Sequence, residues 1–300
     1  MEKSIVERFH ETQWVHYKKA VTPYVLLLPS IVLIGFFKIY PIFYAIVLSF
    51  FKSGKDGIIS FAFIQNYTNL FAEDIFVNSV WVTLRFCILT TAIQVLLAIT
   101  SALFLNRKNK FVEISRTFLY IPVAINMVIA CTIWSMFFSD STGLVNAFLH
   151  SFGMNSQPWL TSSKYAFWVL MFICCWKGVS YWMMFLLAGL LNINESLYEA
   201  AKLDGANNFK QLFYITLPMM KNSLLFVIVS DTLINMFMFS PVYLLTNGGP
   251  SMSTDTLMYE TYRSAFSYTN YPRAYALVTI MILMATVVAS IQLFIMREKN

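Results

Sequence analysis

Charge is scarce in this chain: Asp, Glu, Lys and Arg make up only 12% of its 300 residues. Histidine is scarcer still, with His10, His16 and His150 scattered through a tail and a loop. No stretch joins Cys, His, Asp and Glu at metal-ligand spacing, and no Gly-rich phosphate loop occurs. These absences argue against a metal centre and against nucleotide hydrolysis by this chain. They also argue against a membrane-embedded enzyme, which needs His, Asp, Glu or Ser clustered near one leaflet. The four cysteines, Cys87, Cys131, Cys174 and Cys175, all fall inside apolar stretches, where buried packing is a better account than a disulfide or metal framework. Internal repeats, low-complexity tracts and a chain of membrane carboxylates are missing too. An ion-coupled secondary carrier of small polar solutes, the alternative transport reading, would show repeats or such carboxylates.

What is present is apolar surface. Hydrophobic residues are 58% of the chain, Phe alone numbers 28, and the mean hydropathy is +0.63. Six stretches reach the ~20 residues that a membrane helix needs: 24–51, 78–105, 114–138, 165–191, 222–245 and 274–296. The expectation is an all-α integral membrane protein with six transmembrane helices in one domain over 24–296, after a tail over 1–23. The first stretch follows polar sequence and runs past signal-peptide length through Pro29, Lys38 and Pro41, so no cleavable signal is expected.

Lys and Arg set the orientation. With the N-terminus inside, the inner segments hold 13 of the 21 basic residues, among them Lys18, Lys19, Arg107, Lys108, Lys202 and Lys210. The outer loops hold five: Lys52, Lys55, Lys164, Arg263 and Arg273. Lys38, Arg85 and Lys177 lie within spans. A multi-pass protein of the cell membrane with both termini cytoplasmic follows. The net charge of +6 is explained by this bias, so no nucleic-acid partner is expected. Trp14, Trp81, Trp159 and Trp168 fall near the expected interfaces, as an aromatic belt requires.

Between the fourth and fifth spans, residues 192–221 form a polar interruption longer than a turn requires. It reads as helix, glycine break, helix. Asn194 can cap the first helix with Glu195 near its positive end, and Gly205 suits the left-handed residue that ends it. Asn207 or Asn208 can cap a second helix from Phe209 to about Thr216, and Pro218 restricts Leu217. Two short helices at a fixed angle make a knob that fits a groove on a partner.

The residues of this knob, Glu199-Ala200-Ala201, three residues, Gly205, nine residues, then Ile215-Thr216-Leu217-Pro218, resemble the cytoplasmic loop of bacterial ABC-importer permeases. Leu203-Asp204-Gly205-Ala206 and Thr246-Asn247-Gly248-Gly249-Pro250 ahead of Thr254 resemble the carbohydrate-uptake branch, which includes maltose- and glycerol-phosphate-type permeases. So do Asn66-Tyr67, Ile121-Pro122 and Gly143-Leu144-Val145-Asn146. The resemblance implies that Glu199, Ala200, Ala201, Gly205, Ile215, Leu217 and Pro218 form a coupling helix seated in a cleft on a separate ATPase. It further implies a second, homologous permease subunit, two ATPase subunits and an extracytoplasmic binding protein. This chain then carries no cofactor and no catalytic residue, and ATP and Mg are bound by the ATPase partners. The solute expected is a sugar or sugar-like molecule.

Charges inside spans usually face a cavity or a partner, since each costs ~2.5–3.5 kcal/mol on insertion scales. Lys177 and Asp231 fall at similar depth in the fourth and fifth spans, with Asn235 one turn beyond Asp231 and Trp176, Tyr181 and Trp182 nearby. Hydroxyl-matching groups beside aromatic faces suit sugar recognition, which makes Lys177, Tyr181, Asp231 and Asn235 candidate lining of a substrate path. A Lys177–Asp231 ion pair joining two helices is an equally open reading. Lys38, Arg85 and Gln94 are weaker candidates.

Overall fold

The computed structural model describes residues 22–53, 59–107 and 109–296. The basic tail with Trp14, and Lys55, Lys108, Arg297 and Lys299, lie outside the described residues. Four helices are long and apolar enough to cross a membrane, or up to six if each of two bent pairs counts as one span. The four are α1 (Thr22–Leu48), α3 (Asp74–Leu105), α7 (Ala166–Leu191) and α12 (Tyr271–Met296). Between α1 and α3 lie a small antiparallel hairpin, β1 (Phe51–Ser53) with β2 (Ile59–Phe61), and the short α2 (Gln65–Phe71). The hairpin takes over where the sequence read continued helix to residue 51.

The first bent pair is α4 (Lys110–Ala124) with α5 (Met127–Phe137), which meet at 101°. Here the chain departs from the uninterrupted span expected over 114–138. Pro122 lacks an N–H, Ile125 and Asn126 are extended, and the Asn126 side chain accepts from Val128 N at 2.9 Å, which starts a new helix. After α6 (Leu144–Ser151) and α7 come α8 (Glu195–Leu203) and the second bent pair. In that pair α9 (Asn208–Met219) meets α10 (Lys221–Met236) at 70°. α10 ends nine residues before the apolar stretch does, and a π-helical turn at Val242–Thr246 follows. α11 (Leu257–Tyr262) then leads into α12.

Prolines shape these helices. Pro41 and Pro218 each follow a π-helical turn, Gly35–Ile39 and Leu212–Thr216, where the N–H of Tyr40 or Leu217 reaches back to Gly35 or Leu212. Widening the helix makes room for a ring that cannot donate.

The centre is the pair α3 and α7, which run in the same direction, with α10 laid across them. Towards the α8–α9 end, Ala98, Ala102 and Leu105 of α3 pack on Met183, Leu186 and Leu190 of α7 and on Val227 of α10. Alanines let the backbones approach, as small residues do in membrane bundles. Gly189 serves the α7–α10 seam likewise: a Cβ there would lie 2.6 Å from Ser223 Oγ. Towards the other end, Phe86, Phe167, Leu170 and Cys174 form a second cluster with Met238, Val242 and Tyr259. Many residues of α1 and α12 that face away from this core, such as Leu33, Phe43, Leu293 and Phe294, are exposed and apolar, which suits lipid.

Candidate functional site

The first candidate is the α8–α9 knob. Asn194 caps α8 by accepting from Ser196 N at 3.0 Å. The end of α8 is a Schellman turn: Ala206 N donates to Ala201 O at 2.8 Å, Gly205 N donates to Lys202 O at 3.0 Å, and Gly205 takes φ +77°. A Cβ on Gly205 would meet nothing within 4 Å, so glycine is set by backbone conformation and not by space. Asn207 caps α9 through Lys210 N at 2.8 Å, and Gln211 Nε2 donates back to Ala206 O at 2.9 Å. Tyr198 Oη and Thr216 Oγ1, 3.0 Å apart, lock one helix to the other.

The fixed pair leaves Glu199, Ala200, Gly205 and Pro218 exposed, with Ala201, Ile215 and Leu217 half-buried. Around them Leu203 is 91% exposed, Tyr214 81% and Phe209 69%. These apolar and aromatic side chains are held far into the open on a rigid support.

The second candidate is a cavity of about 480 Å³ between α3, α7, α10 and the α4–α5 break. Gln94, Lys177, Tyr181, Trp182, Asp231 and Asn235 all line it, so the structure brings the sequence-selected path residues together. Trp182 Nε1 donates to Asp231 Oδ1 at 2.6 Å, and Asp231 is 1% exposed. Asn235 Nδ2 donates to Gln94 Oε1 at 2.8 Å and to Thr91 Oγ1 at 3.1 Å. Gln94 Nε2 in turn donates to Cys174 O at 2.7 Å.

This ladder joins three helices, and Gln94, a weak candidate by sequence, is its middle rung. The signal that would have found it is Gly178, one turn beyond Cys174. A Cβ there would lie 2.1 Å from Gln94 Nε2, so only glycine lets the amide cross to α7.

Lys177 and Asp231 do not form the ion pair that was one of the sequence readings. Lys177 Nζ donates to Pro122 O at 3.1 Å, to Val123 O at 3.5 Å and to Ile125 O. The helix break takes the helical N–H partners from Val123 O and Ile125 O and leaves Pro122 O with only a 3.4 Å bond from Ile125 N, and the negative end of the α4 dipole adds to the attraction. Arg85 does not enter the cavity: its guanidinium lies 4.6 Å from the Phe167 ring centroid and 5.9 Å from that of Trp168. Trp176 packs on Trp134 at 5.5 Å, away from Lys177's partners.

A third cluster escaped the sequence reading. At the end of the bundle opposite the knob, Arg273 of α12 donates to Glu73 Oε2 at 2.6 Å, to Glu260 Oε1 at 2.5 Å and to Ser264 Oγ. Arg263 pairs with Glu260 and, at 2.8 Å, with Asp255. The side chains of Glu260 and Asp255 have no exposure. Burial pushes the Asp255 carboxyl up to about 6 while Arg263 pulls against it. Leu257 N donates to Thr83 Oγ1 at 2.8 Å and Asn78 Nδ2 to Met252 O at 2.9 Å, which fastens the Gly-Gly-Pro loop to α3.

Residues 94–298 match the family described as binding-protein-dependent transport system inner membrane component. Among the relatives, the sulfoquinovosyl glycerol transport system permease protein SmoG of Agrobacterium fabrum is 30% identical over 291 residues, covering 96% of this chain and 94% of that protein. The lactose transport system permease protein LacF of Rhizobium radiobacter is 30% identical over 286 residues, covering 93% and 95%. In fold, the chain superposes with a TM-score of 0.84 on a chain of a bacterial ABC transporter involved in import of the acidic polysaccharide alginate. That match has 24% identity and covers 96% of this chain and 99% of the other.

Proposed function

The chain belongs to the family of binding-protein-dependent transport inner-membrane components, and from that premise we propose that it is the membrane-spanning permease subunit of an ATP-driven ABC importer. Its solute is a sugar or sugar-like molecule delivered by an extracytoplasmic binding protein. The relatives' names support the sugar class, and they divide on charge, since lactose is neutral and sulfoquinovosyl glycerol carries a sulfonate. In this reading each bent helix pair is one span, six in all. The knob end and both termini face the cytoplasm of a cell-membrane protein.

The observation that carries the mechanism is the knob: an internally braced helix pair with an exposed Glu199 and an apolar crown. It docks on one of two ATPase subunits, which bind ATP and Mg, while this chain binds neither. A second, homologous permease completes the path. Closure of the ATPases pushes on α8, and Tyr198–Thr216 and the α9–α10 bend carry that push into α10, which bears Asp231 and Asn235. The geometry suits this because α10 spans from the knob to the cavity wall without interruption.

The test is uptake in a strain whose own copy is deleted, with membrane abundance measured in parallel. Glu199→Lys and Gly205→Pro leave the protein in the membrane and abolish uptake. Full uptake by both at normal abundance would remove the coupling role. Uptake that survives depletion of ATP but collapses with the proton gradient would instead favour an ion-coupled carrier.

A further inference from the structure

The charge of the cavity bears on which sugars it takes, and only two formal charges line it, Lys177 and Asp231. An ammonium has three N–H donors. Those of Lys177 are matched by three backbone carbonyls, of Pro122, Val123 and Ile125, at the break between α4 and α5. It has no donor left for an anion in the cavity, and its charge sits against the partial negative charge of a helix C-terminus. Arg85, the next cation along α3, is nine residues before Gln94, about 13 Å farther along the helix, and it is occupied by Phe167 and Trp168.

Asp231 is placed differently. One carboxylate oxygen takes the Trp182 indole N–H, and the other, also buried, has no hydrogen-bond partner. No cation pairs with it. Its remaining neighbours, Asn235 and Gln94, are neutral amides already committed to each other. The wall thus carries a Lys177 charge offset by three carbonyl dipoles and an Asp231 charge offset by a single indole N–H, so the less compensated of the two is negative, and in a low-dielectric setting it repels an anion more strongly than in water. The Tyr181 hydroxyl and the aromatic faces of Tyr181 and Trp182 remain to meet hydroxyl groups and ring C–H faces.

Resting on the permease reading above, we infer that this cavity admits a saccharide with no carboxylate, phosphate or sulfonate and turns acidic sugars away. The charge that selects is Asp231, and Lys177 is a positioning residue that holds the broken span and does not receive an acidic substituent.

The closing experiment reads the cavity's charge directly and needs neither transport nor a known solute. Ser240, half-buried in the same wall, is replaced by Cys in the full chain within its native membrane complex. Its labelling rate is measured with two methanethiosulfonates of similar size, one bearing a trimethylammonium and one a sulfonate. The parent chain supplies the background from Cys174, and the rate ratio is normalised to a soluble thiol. The cation is expected to label at least about tenfold faster than the anion, and the ratio to fall towards unity with Asp231→Asn. A ratio at or below unity with Asp231 present, or one that Asp231→Asn does not move, overturns the inference. Ile234→Cys, in the same wall, gives the same reading if Ser240→Cys fails to fold. Uptake that survives depletion of ATP would sink the permease reading while leaving this labelling ratio standing, so the two failures are distinguishable.

Discussion

Gly178→Ala should destabilise the protein in one background and stabilise it in another. The added methyl would lie 2.1 Å from Gln94 Nε2 and 2.7 Å from Cδ, with Gln94 only 2% exposed. Gln94 must leave, and its hydrogen bonds to Cys174 O and from Asn235 Nδ2, at 2.7 and 2.8 Å, are lost. Bonds between membrane helices average about 0.6 kcal/mol and reach about 1.7, so losing both costs about 1–3 kcal/mol. Overpacking adds about 1–3 kcal/mol, while replacing a mid-helix glycine by alanine returns about 1 kcal/mol. The net cost is about 1–5 kcal/mol.

Once Gln94→Ala has cleared the space, only the helix-propensity gain remains. Gly178→Ala should then stabilise by up to about 1 kcal/mol. The double-mutant cycle, read by SDS titration of the detergent-solubilised protein with tryptophan fluorescence, should therefore show a change of sign. An equal effect of Gly178→Ala in both backgrounds would refute the claim that this glycine exists to admit Gln94.

Three further outcomes follow from the geometry. Lys177→Met orphans the carbonyls of the α4–α5 break and should lower stability by about 1–3 kcal/mol in the same titration, whereas Asn126→Ala, losing only a cap, should cost about 1 kcal/mol; equal costs would deny Lys177 its role. Arg273→Ala leaves Glu73 unpaired and takes from the buried Glu260 one of its two arginines, Arg263 keeping the other oxygen, and should cost about 3 kcal/mol; a loss below 1 kcal/mol would show that the cluster is not coupled. Asp255 holds its proton more tightly folded, about 6, than its ordinary 3.8, so the folded state binds more protons in that window and loses stability as pH rises through it. Relative to Asp255→Asn, the parent should lose up to about 3 kcal/mol between pH 4 and 6.5, read as the difference between the two melting curves.

The knob was legible residue by residue because its signals are local. Asn194, Gly205 and Asn207 act on backbone within a few positions, and each does in the structure what its chemistry implies; Pro218 does not, because the π-helical turn before it lets Leu217 stay helical and the helix run on to Met219. The cavity was legible in membership but not in wiring. Counting residues along a span gives depth, and depth alone put Lys177 beside Asp231. Which way a side chain turns about the helix axis depends on what lies opposite, and for Lys177 that was a helix break hidden inside an apolar run. Pro122 and Asn126 marked the break, but hydropathy reads Val123, Ile125 and Met127 as one membrane span. The outer ion cluster was invisible for a plainer reason: its members are Glu73, Asp255, Glu260, Arg263 and Arg273, and nothing local joins them.

That outer cluster has a consequence for how the protein is made. Glu73 and its arginine are 200 residues apart, and ribosomes add about 5–20 residues per second. For roughly 10–40 seconds α3 is in place while the guanidinium that pairs with its N-cap residue does not yet exist. Glu260 is synthesised 13 residues before Arg273 and Arg263 only three after Glu260, so the later half of the cluster assembles almost at once. The last helix thus arrives as a keystone: its first turn closes a ring opened near the start of synthesis. A chain cut before residue 271 would carry every earlier helix and still leave Glu73 without its arginine.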